Sequence, residues 1–559
     1  MKRSTYIWSL LVGCVAFATS CDLTEDVQVK ADKSMIFGSK SGLELYSNSF
    51  YKALPTLKNG FMQDKMCDVG AVSNTDTFIK RGAYNTETAT SWSWGALKNV
   101  NYFIDGCNDP KYCTVEAETR DNYLGIARWF RAWFYYDKLT TYGEVPWFPN
   151  DIQSYQNDVM YKDRDSRDVI IRNLIADLDF AYEHIQATSS TGSATLTRWA
   201  AAALKSRVCL FEAAYRRYHN LTGLEITPEE LYREAAKAAK LVIDNSGCSL
   251  NTAAGKKGAY RDLFYSETPL TQEVILAVCA NEKSGIFGEQ NWWFNARSYG
   301  LCWSLVRSFV HTYLKQDGTP FTAAADYAVK SFAEEMEGRD LRLEQTVRGR
   351  NFLWDGKTAV ADIKNLSLTG YQVIKYTLDE SKYDGGAKNI NSIPLIRYAE
   401  VLLNYAEAQA ELGVITDSEW ALTVGALRKR AGITGGTETL PTTVDSYLQR
   451  TFYPDVTSPV LLEIRRERAI ELVAEGMRFD DLRRWKCGSL METLPWSGIH
   501  IPGLEQPVDV NGDGVNDYYF TEGEVASAPA AYKNIAVRVN PDGVGLYAEA
   551  NPVSGYALV

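Results

Sequence analysis

Apolar residues recur every three to four positions in one segment after another. This constrains the chain more than any other feature, because a chain so patterned must bury helix faces against one another. Residues 167–185 set Ile171, Leu174, Leu178 and Ala181 on one face. Residues 197–217 follow with the run Ala200 to Ala203, whose small side chains let two helices approach closely. Residues 227–244 open with Thr227-Pro228-Glu229-Glu230, a capping box with proline at the first helical position, and stop at Asn245-Ser246-Gly247. A further pair covers 395–412 and 419–431, the first with Leu395, Ala399, Leu402, Ala406 and Ala410 expected inside and Arg397, Glu400, Asn404 and Glu411 expected in water.

Paired amphipathic helices with alanine at the contacts predict a mostly α fold, a tetratricopeptide-like helical-repeat scaffold. Its repeats are irregular, since no clean period of about 34 residues runs through the chain. Long polar stretches rich in glycine and aromatics, 58–95, 246–300 and 350–394, and the loop-rich end from 488, are expected to form the binding face on that frame. The expected organisation is a leader, 1–20, followed by one helical binding domain, 21–559.

The leader carries Lys2 and Arg3, an apolar run from Tyr6 to Ala18, and small residues ahead of a cysteine, Ala18-Thr19-Ser20-Cys21, which is a signal-peptide layout. The cysteine after small residues resembles the bacterial lipobox, with Ala18 where leucine is commoner, so Cys21 is expected to carry lipid. The acidic run Asp22-Leu23-Thr24-Glu25-Asp26 resembles the surface-export signal of Bacteroidetes lipoproteins, which places the protein on the outer membrane facing outwards. A net charge of −11, with the densest basic stretch Arg465-Arg466-Glu467-Arg468 interleaved with carboxylate, excludes nucleic acid as a partner. Of ten cysteines Cys14 lies in the leader and Cys21 at the proposed anchor; among the other eight only Cys107 and Cys113 lie close together, leaving a local disulfide open. No C-x-x-C pair occurs and the four histidines are scattered, which argues against a zinc site or a Cys/His nucleophile. No cofactor is required.

Three segments carry a family resemblance. The first is Glu467-Arg468-Ala469-Ile470-Glu471-Leu472 running into Glu475-Gly476-Met477-Arg478-Phe479-Asp480-Asp481-Leu482-Arg483-Arg484-Trp485. The second is Ala127-Arg128-Trp129-Phe130-Arg131-Ala132-Trp133-Phe134-Tyr135-Tyr136 before Tyr142-Gly143-Glu144-Val145-Pro146. The third runs from Tyr398-Ala399-Glu400-Val401-Leu402-Leu403-Asn404-Tyr405-Ala406-Glu407-Ala408 to Arg428-Lys429-Arg430-Ala431-Gly432. Together they resemble the SusD/RagB lipoproteins. The resemblance implies a tetratricopeptide-based helical fold, partnership with a SusC-like TonB-dependent transporter, and capture of glycans, or of peptides in a minority of members.

Read from the residues, these motifs are structural. Glu463, Glu467, Glu471 and Glu475 recur at i+4 and would repel one another along a helix, but Arg466, Arg468 and Arg478 stand three residues from Glu463, Glu471 and Glu475. A salt-bridge network is therefore expected, and Trp129, Phe130, Trp133 and Phe134 are expected in the core.

Candidate ligand contacts come from aromatic-rich polar runs, since tryptophan and tyrosine offer a broad ring and a polar edge to a sugar. In Asn291-Trp292-Trp293-Phe294-Asn295-Ala296-Arg297-Ser298-Tyr299-Gly300, ligand contact by Trp292, Trp293 or Tyr299 competes with packing beneath a helix at 303–315. In 81–94 the candidates are Arg81, Tyr84 and Trp92, beside Asn85, with Trp94 turned to the core. A third run, from Asp509 to Asp517, follows the start of a calcium loop. Asp509, Asn511, Asp513 and Asp517 supply side-chain oxygens and Val515 occupies the backbone-carbonyl position, with Gly514 at the turn. Phe520 replaces the usual closing glutamate, so structural calcium competes with a plain Asx/Gly turn. The leading expectation is a glycan-binding protein without catalysis. Peptide capture, a structural lid for the transporter, and glycoside hydrolysis by two facing carboxylates are the alternatives.

Overall fold

The computed structural model describes residues 32–58, 64, 67–72, 91–153, 155–255, 257–296, 301–363, 365–522, 533–539 and 546–547. The leader with Cys21, and Arg81, Tyr84, Asn85 and Tyr299, lie outside the described residues.

Five long helices follow one another and pack in sequence: α1 (Gly95–Asn108), α2 (Ala117–Tyr142), α3 (Arg167–His184), α4 (Arg198–Tyr218) and α5 (Pro228–Asn245). After residues 246–397 the chain rejoins the stack as α6 (Tyr398–Glu411), laid against α5, with α7 (Pro459–Glu471) beyond it and α8 (Arg478–Arg484) folded back onto α4. The fold is mostly helical, as the periodicity predicts. Among the described residues no helix is long and apolar enough to cross a membrane.

Local chemistry explains the boundaries. Helix α5 begins at the Thr227 capping box, with hydroxyl and Glu230 carboxylate each satisfying the other's backbone N–H. The predicted face of α3, Ile171, Leu174, Leu178 and Ala181, is fully buried. Burial of each large side chain there is worth about 1.5–3 kcal/mol. Ala200 to Ala203 are buried where α4 meets its neighbours, and the indole N–H of Trp129 donates to the Ala200 carbonyl at 3.2 Å. Trp129 and Phe130 are core, with Trp133 and Phe134 half-buried against it. The eight described cysteines, Cys107 and Cys113 included, are free thiols.

Residues 246–397 are clamped at their base by β1 (Val274–Val278), antiparallel to β4 (Ile393–Arg397). Within them lies a small hairpin, β2 (Leu353–Trp354) and β3 (Lys357–Thr358). Three expectations change here. The segment 395–412 begins as strand and turns helical only at Tyr398. The helix expected at 419–431 is divided at Thr423, whose ψ of −93° separates Asp417–Leu422 from Val424–Arg430. Of 303–315 only Arg307–Val310 is α-helical, Ser304–Leu305 pairing instead as a strand with Gly70–Ala71.

The polar side of α6 is not in water. Arg397, Glu400 and Asn404 are almost completely buried and Glu411 is half-buried, because α6 sits between α5 and α7 and meets charged partners on its polar face. Glu400 takes both forks of Arg207 at 2.6 Å, and Asn404 bridges Ser206 and Arg468. The expected network exists, but with other partners than the neighbours in sequence. Arg466 does pair with Glu463, at 3.0 Å. Arg468 turns instead to Asp481 and Arg478 to Asp68. Glu471 is held by Arg342 at 2.7 Å, Arg397 at 2.6 Å and Arg430, three cations from three distant segments. Glu475, just beyond α7, holds Lys375 at 2.7 Å and Arg397 at 2.6 Å.

Candidate functional site

The hairpin β2–β3 turns through Asp355 and Gly356, with φ of 49° and 72°. Both signs are positive, as a tight two-residue hairpin requires, and Asp-Gly is a pair that adopts them readily. The turn is tied to the body: the Asp355 N–H donates to the Asp379 carbonyl at 3.0 Å, and its carboxylate accepts from the Ser381 N–H at 2.9 Å. The hairpin thus presents Trp354, half-buried, as a ring roughly parallel to the buried Phe352, with centroids 6.2 Å apart. The Arg348 guanidinium lies over both rings, 5.0 Å from Phe352 and 5.9 Å from Trp354.

Beside Trp354 opens a cavity of about 470 Å³. Arg348 enters its wall with its Nε donating to the Ala359 carbonyl and its Nη1 to Gln372. The same Gln372 oxygen accepts the Asp362 N–H, and the Gln372 amide donates to Asn295. Asp384 accepts from Asn291 at 3.1 Å and from Asn295 at 3.2 Å. A network of amides therefore fixes the acidic wall. Burial pushes the Asp384 carboxyl above its ordinary value.

Another part of the lining comes from the run expected to start a calcium loop, of which Asn511, Asp513 and Asp517 reach the cavity. Its side chains are turned largely to its own backbone. Asp509 accepts the N–H groups of Gly512 at 2.7 Å and Gly514 at 2.8 Å, Asp513 that of Val515 at 2.8 Å, and Asp517 that of Val510 at 2.9 Å. Of these only the Asp513 bond, to the N–H two residues on, is an Asx turn; the others cross the loop and close it on itself. Among the described residues no group of three or more His, Cys, Asp or Glu is placed to hold a metal ion. Burial, and the nearby charges of Asp513 and Asp509, raise the Asp517 carboxyl. Tyr518 fastens the loop to the cavity floor by donating to the Ala361 carbonyl at 2.7 Å and accepting from the Ile363 N–H.

The predicted aromatic contacts divide. Trp292 and Trp293 lie on the short helix Gln290–Asn295 rather than in a loop, and both are half-buried. The Trp293 indole donates to Glu289 at 3.2 Å and its ring packs on the core. Neither lines the cavity, but Asn295 at the end of their helix does. Trp92 lies elsewhere. It is 41% exposed, edge-on to Trp94 and Tyr142, with Arg164 5.3 Å from its ring. It borders a separate groove of about 700 Å³ floored by Trp94, Leu97, Phe148 and Ile152. That groove is mostly carbon, whereas the Trp354 cavity joins one ring to a ring of hydrogen-bonding groups. Sequence reading passed over Trp354, although Trp354-Asp355-Gly356-Lys357 holds the Asp-Gly hairpin signal directly after an aromatic residue.

Residues 272–535 match the SusD family. Solved structures share the fold. A SusD-like carbohydrate binding protein from Bacteroides fragilis NCTC 9343 is 19% identical, with a TM-score of 0.66 over 86% of this chain and 94% of that one. A second SusD-like protein from the same organism is 22% identical, with a TM-score of 0.61 over 84% and 90%. A structure solved with xylogluco-oligosaccharide is 18% identical, with a TM-score of 0.55 over 80% and 84%. No curated protein matches the chain. The family match takes in both the closing motif at 467–485 and the segment 398–432, and the shared fold takes in most of the chain: residues 272–535 are similar to the SusD family, and the protein has the fold of SusD-like proteins.

Proposed function

We propose that this protein is a cell-surface lipoprotein that captures oligo- or polysaccharide and delivers it to a SusC-like TonB-dependent transporter. The observation that carries the reading is the cavity beside Trp354. A sugar ring has an apolar C–H face and a hydroxyl edge; the half-buried indole suits the first, and Asn295, Asp384, Asn511 and Asp513 suit the second. The cavity is large enough for one or two sugar rings, so a longer chain would leave through its open side. The structural relative solved with xylogluco-oligosaccharide, and the one described as carbohydrate binding, support the class of ligand. The leader ending at Cys21 supports a lipid anchor and an outward-facing position on the outer membrane.

The protein performs no chemistry in this reading. Its carboxylates accept sugar hydroxyls, and their hydrogen bonds to Asn291, Asn295 and backbone N–H groups hold them as fixed acceptors. Titration of the purified protein with a panel of oligosaccharides and peptides, read by heat and tryptophan fluorescence, tests it. Saturable binding of a glycan that Trp354→Ala weakens at least about tenfold, a loss of about 1.4 kcal/mol, is expected. Binding of peptides alone, release of new reducing ends, or glycan binding indifferent to Trp354 would each overturn the assignment. In cells, Cys21→Ala is expected to detach the protein from the membrane fraction.

A further inference from the structure

From the charges around the cavity we infer that it selects uncharged glycans and rejects those bearing uronate or sulfate on the sugar seated against Trp354. This rests on the glycan-capture reading and narrows it. Asp362, Asp384, Asp513 and Asp517 line the cavity, and Arg348 is the one cation among its described lining residues. Arg348 is already spent on the Ala359 carbonyl, on Gln372 and on the two aromatic faces. Among the described residues, Asp384, Asp513 and Asp517 form no ion pair; each is satisfied by neutral amides or backbone N–H groups. Their charge therefore remains to act on whatever enters.

An ionised carboxylate only accepts hydrogen bonds. A neutral sugar supplies hydroxyl donors, and hydrogen bonds to a charged acceptor are the stronger kind. A uronate or sulfate brings acceptors and a negative charge to a wall that is already both. Like charges a few ångströms apart in a partly enclosed site, where water screens them incompletely, oppose binding. The walls cannot relax to avoid the clash: Asp384 is tied to the helix carrying Asn291 and Asn295, and the Asp509–Asp517 loop is tied through Tyr518.

The test uses a matched pair: the neutral oligosaccharide that binds most tightly in the panel, and the same oligosaccharide with its primary alcohols oxidised to carboxylates. The oxidised form is expected to bind at least about tenfold more weakly, the factor given by about 1.4 kcal/mol. The gap is expected to narrow at high salt and in Asp384→Asn and Asp517→Asn, with thermal melting confirming that both variants are folded. Equal or tighter binding of the oxidised form would overturn the inference while leaving glycan capture intact, as would a panel in which only acidic glycans bind. A gap that neither salt nor the two variants change would also overturn it, by assigning the loss to shape rather than charge. Absence of any glycan binding would sink the capture reading itself.

Discussion

Helices α2 to α5 and the segment 246–397 that interrupts the stack before α6 are joined to the protein by different kinds of contact. In the helices each element rests on its neighbour in sequence, largely through carbon: Leu174, Leu178, Ala201, Ala213 and Ala235 are all fully buried. Ion pairs such as Arg131 with Asp177 and Arg167 with Glu212 occur there too, each linking helices close in the chain. The interrupting segment shares that apolar core through residues such as Phe264, Leu276, Leu305 and Val373, and is in addition pinned by charges from far away. Arg342, Lys375 and Arg397 converge on Glu471 at the end of α7 and Glu475 just beyond it, and Glu273 pairs with Arg397 and with Arg430. Carbon packing tolerates substitution in proportion to the volume removed, whereas a buried ionic cluster fails when any member leaves its partners uncompensated. The stack is therefore a graded support, and the part that carries Trp354 adds to its share of the core a cluster of ionic side chains that tolerates substitution less well.

The sharpest way to break this comparison is Glu471→Ala. It takes one carboxylate from each of Arg342, Arg397 and Arg430, leaving them Asp340 with Glu467, Glu273 with Glu475, and Glu273, and is expected to cost about 3 kcal/mol in urea unfolding, with hydrogen exchange rising first across 246–397. A loss below about 1 kcal/mol, or exchange rising first in α2 to α5, would show that the network is not what holds the segment. Leu178→Ala, a cavity in the helical stack, is expected to cost about 3 kcal/mol while leaving glycan affinity unchanged wherever the protein is folded.

Acid supplies a milder perturbation. Burial opposes ionisation of Glu471, but the guanidinium groups of Arg430, Arg397 and Arg342 outweigh it and hold its carboxyl well below the usual range. Glu475 and Asp481 are also held low, by Arg397 with Lys375 and by Arg468 with Arg484, against the same burial. Carboxyls that are lower in the folded state contribute stability above their unfolded values, about 4, and lose it as pH falls through the folded ones. The contribution of these three carboxyls is thus expected to hold down to about pH 4 and to be lost below it, so that the acid limb of the stability profile is shallower in Glu471→Ala. The smallest effect is expected from Thr227→Ala, which removes one cap from α5 and costs about 1 kcal/mol in the same urea assay.

Legibility followed the same division. The cores of α3 and α5 could be read because periodicity and caps are local. The wet face assigned to α6 was wrong for the opposite reason: Arg397, Glu400 and Asn404 look solvated in any local window, and only partners such as Arg207, Arg468 and Glu471 bury them. Of the residues around the Trp354 cavity, the sequence singled out the Asp509–Asp517 run, as a candidate metal loop, and marked Asn295 only as part of the run 291–300; of the aromatics it pointed to, Trp92, Trp292 and Trp293 do not line the cavity. Trp354 carried a local hairpin signal, but nothing near it in sequence announced a cavity.

By itself the sequence determined that helices would form, where several begin, which faces turn inward, and which family residues 272–535 resemble, because these depend on spacing along the chain. Only the tertiary structure decided which arginine answers which glutamate. It also brought residues 295, 348, 354, 384 and 511–517 around one cavity and left Trp92 in another groove. The physical reason is range: helix periodicity and capping act over a few residues, whereas a buried charge or a binding wall is completed by whichever distant segment folding delivers within about 3 Å.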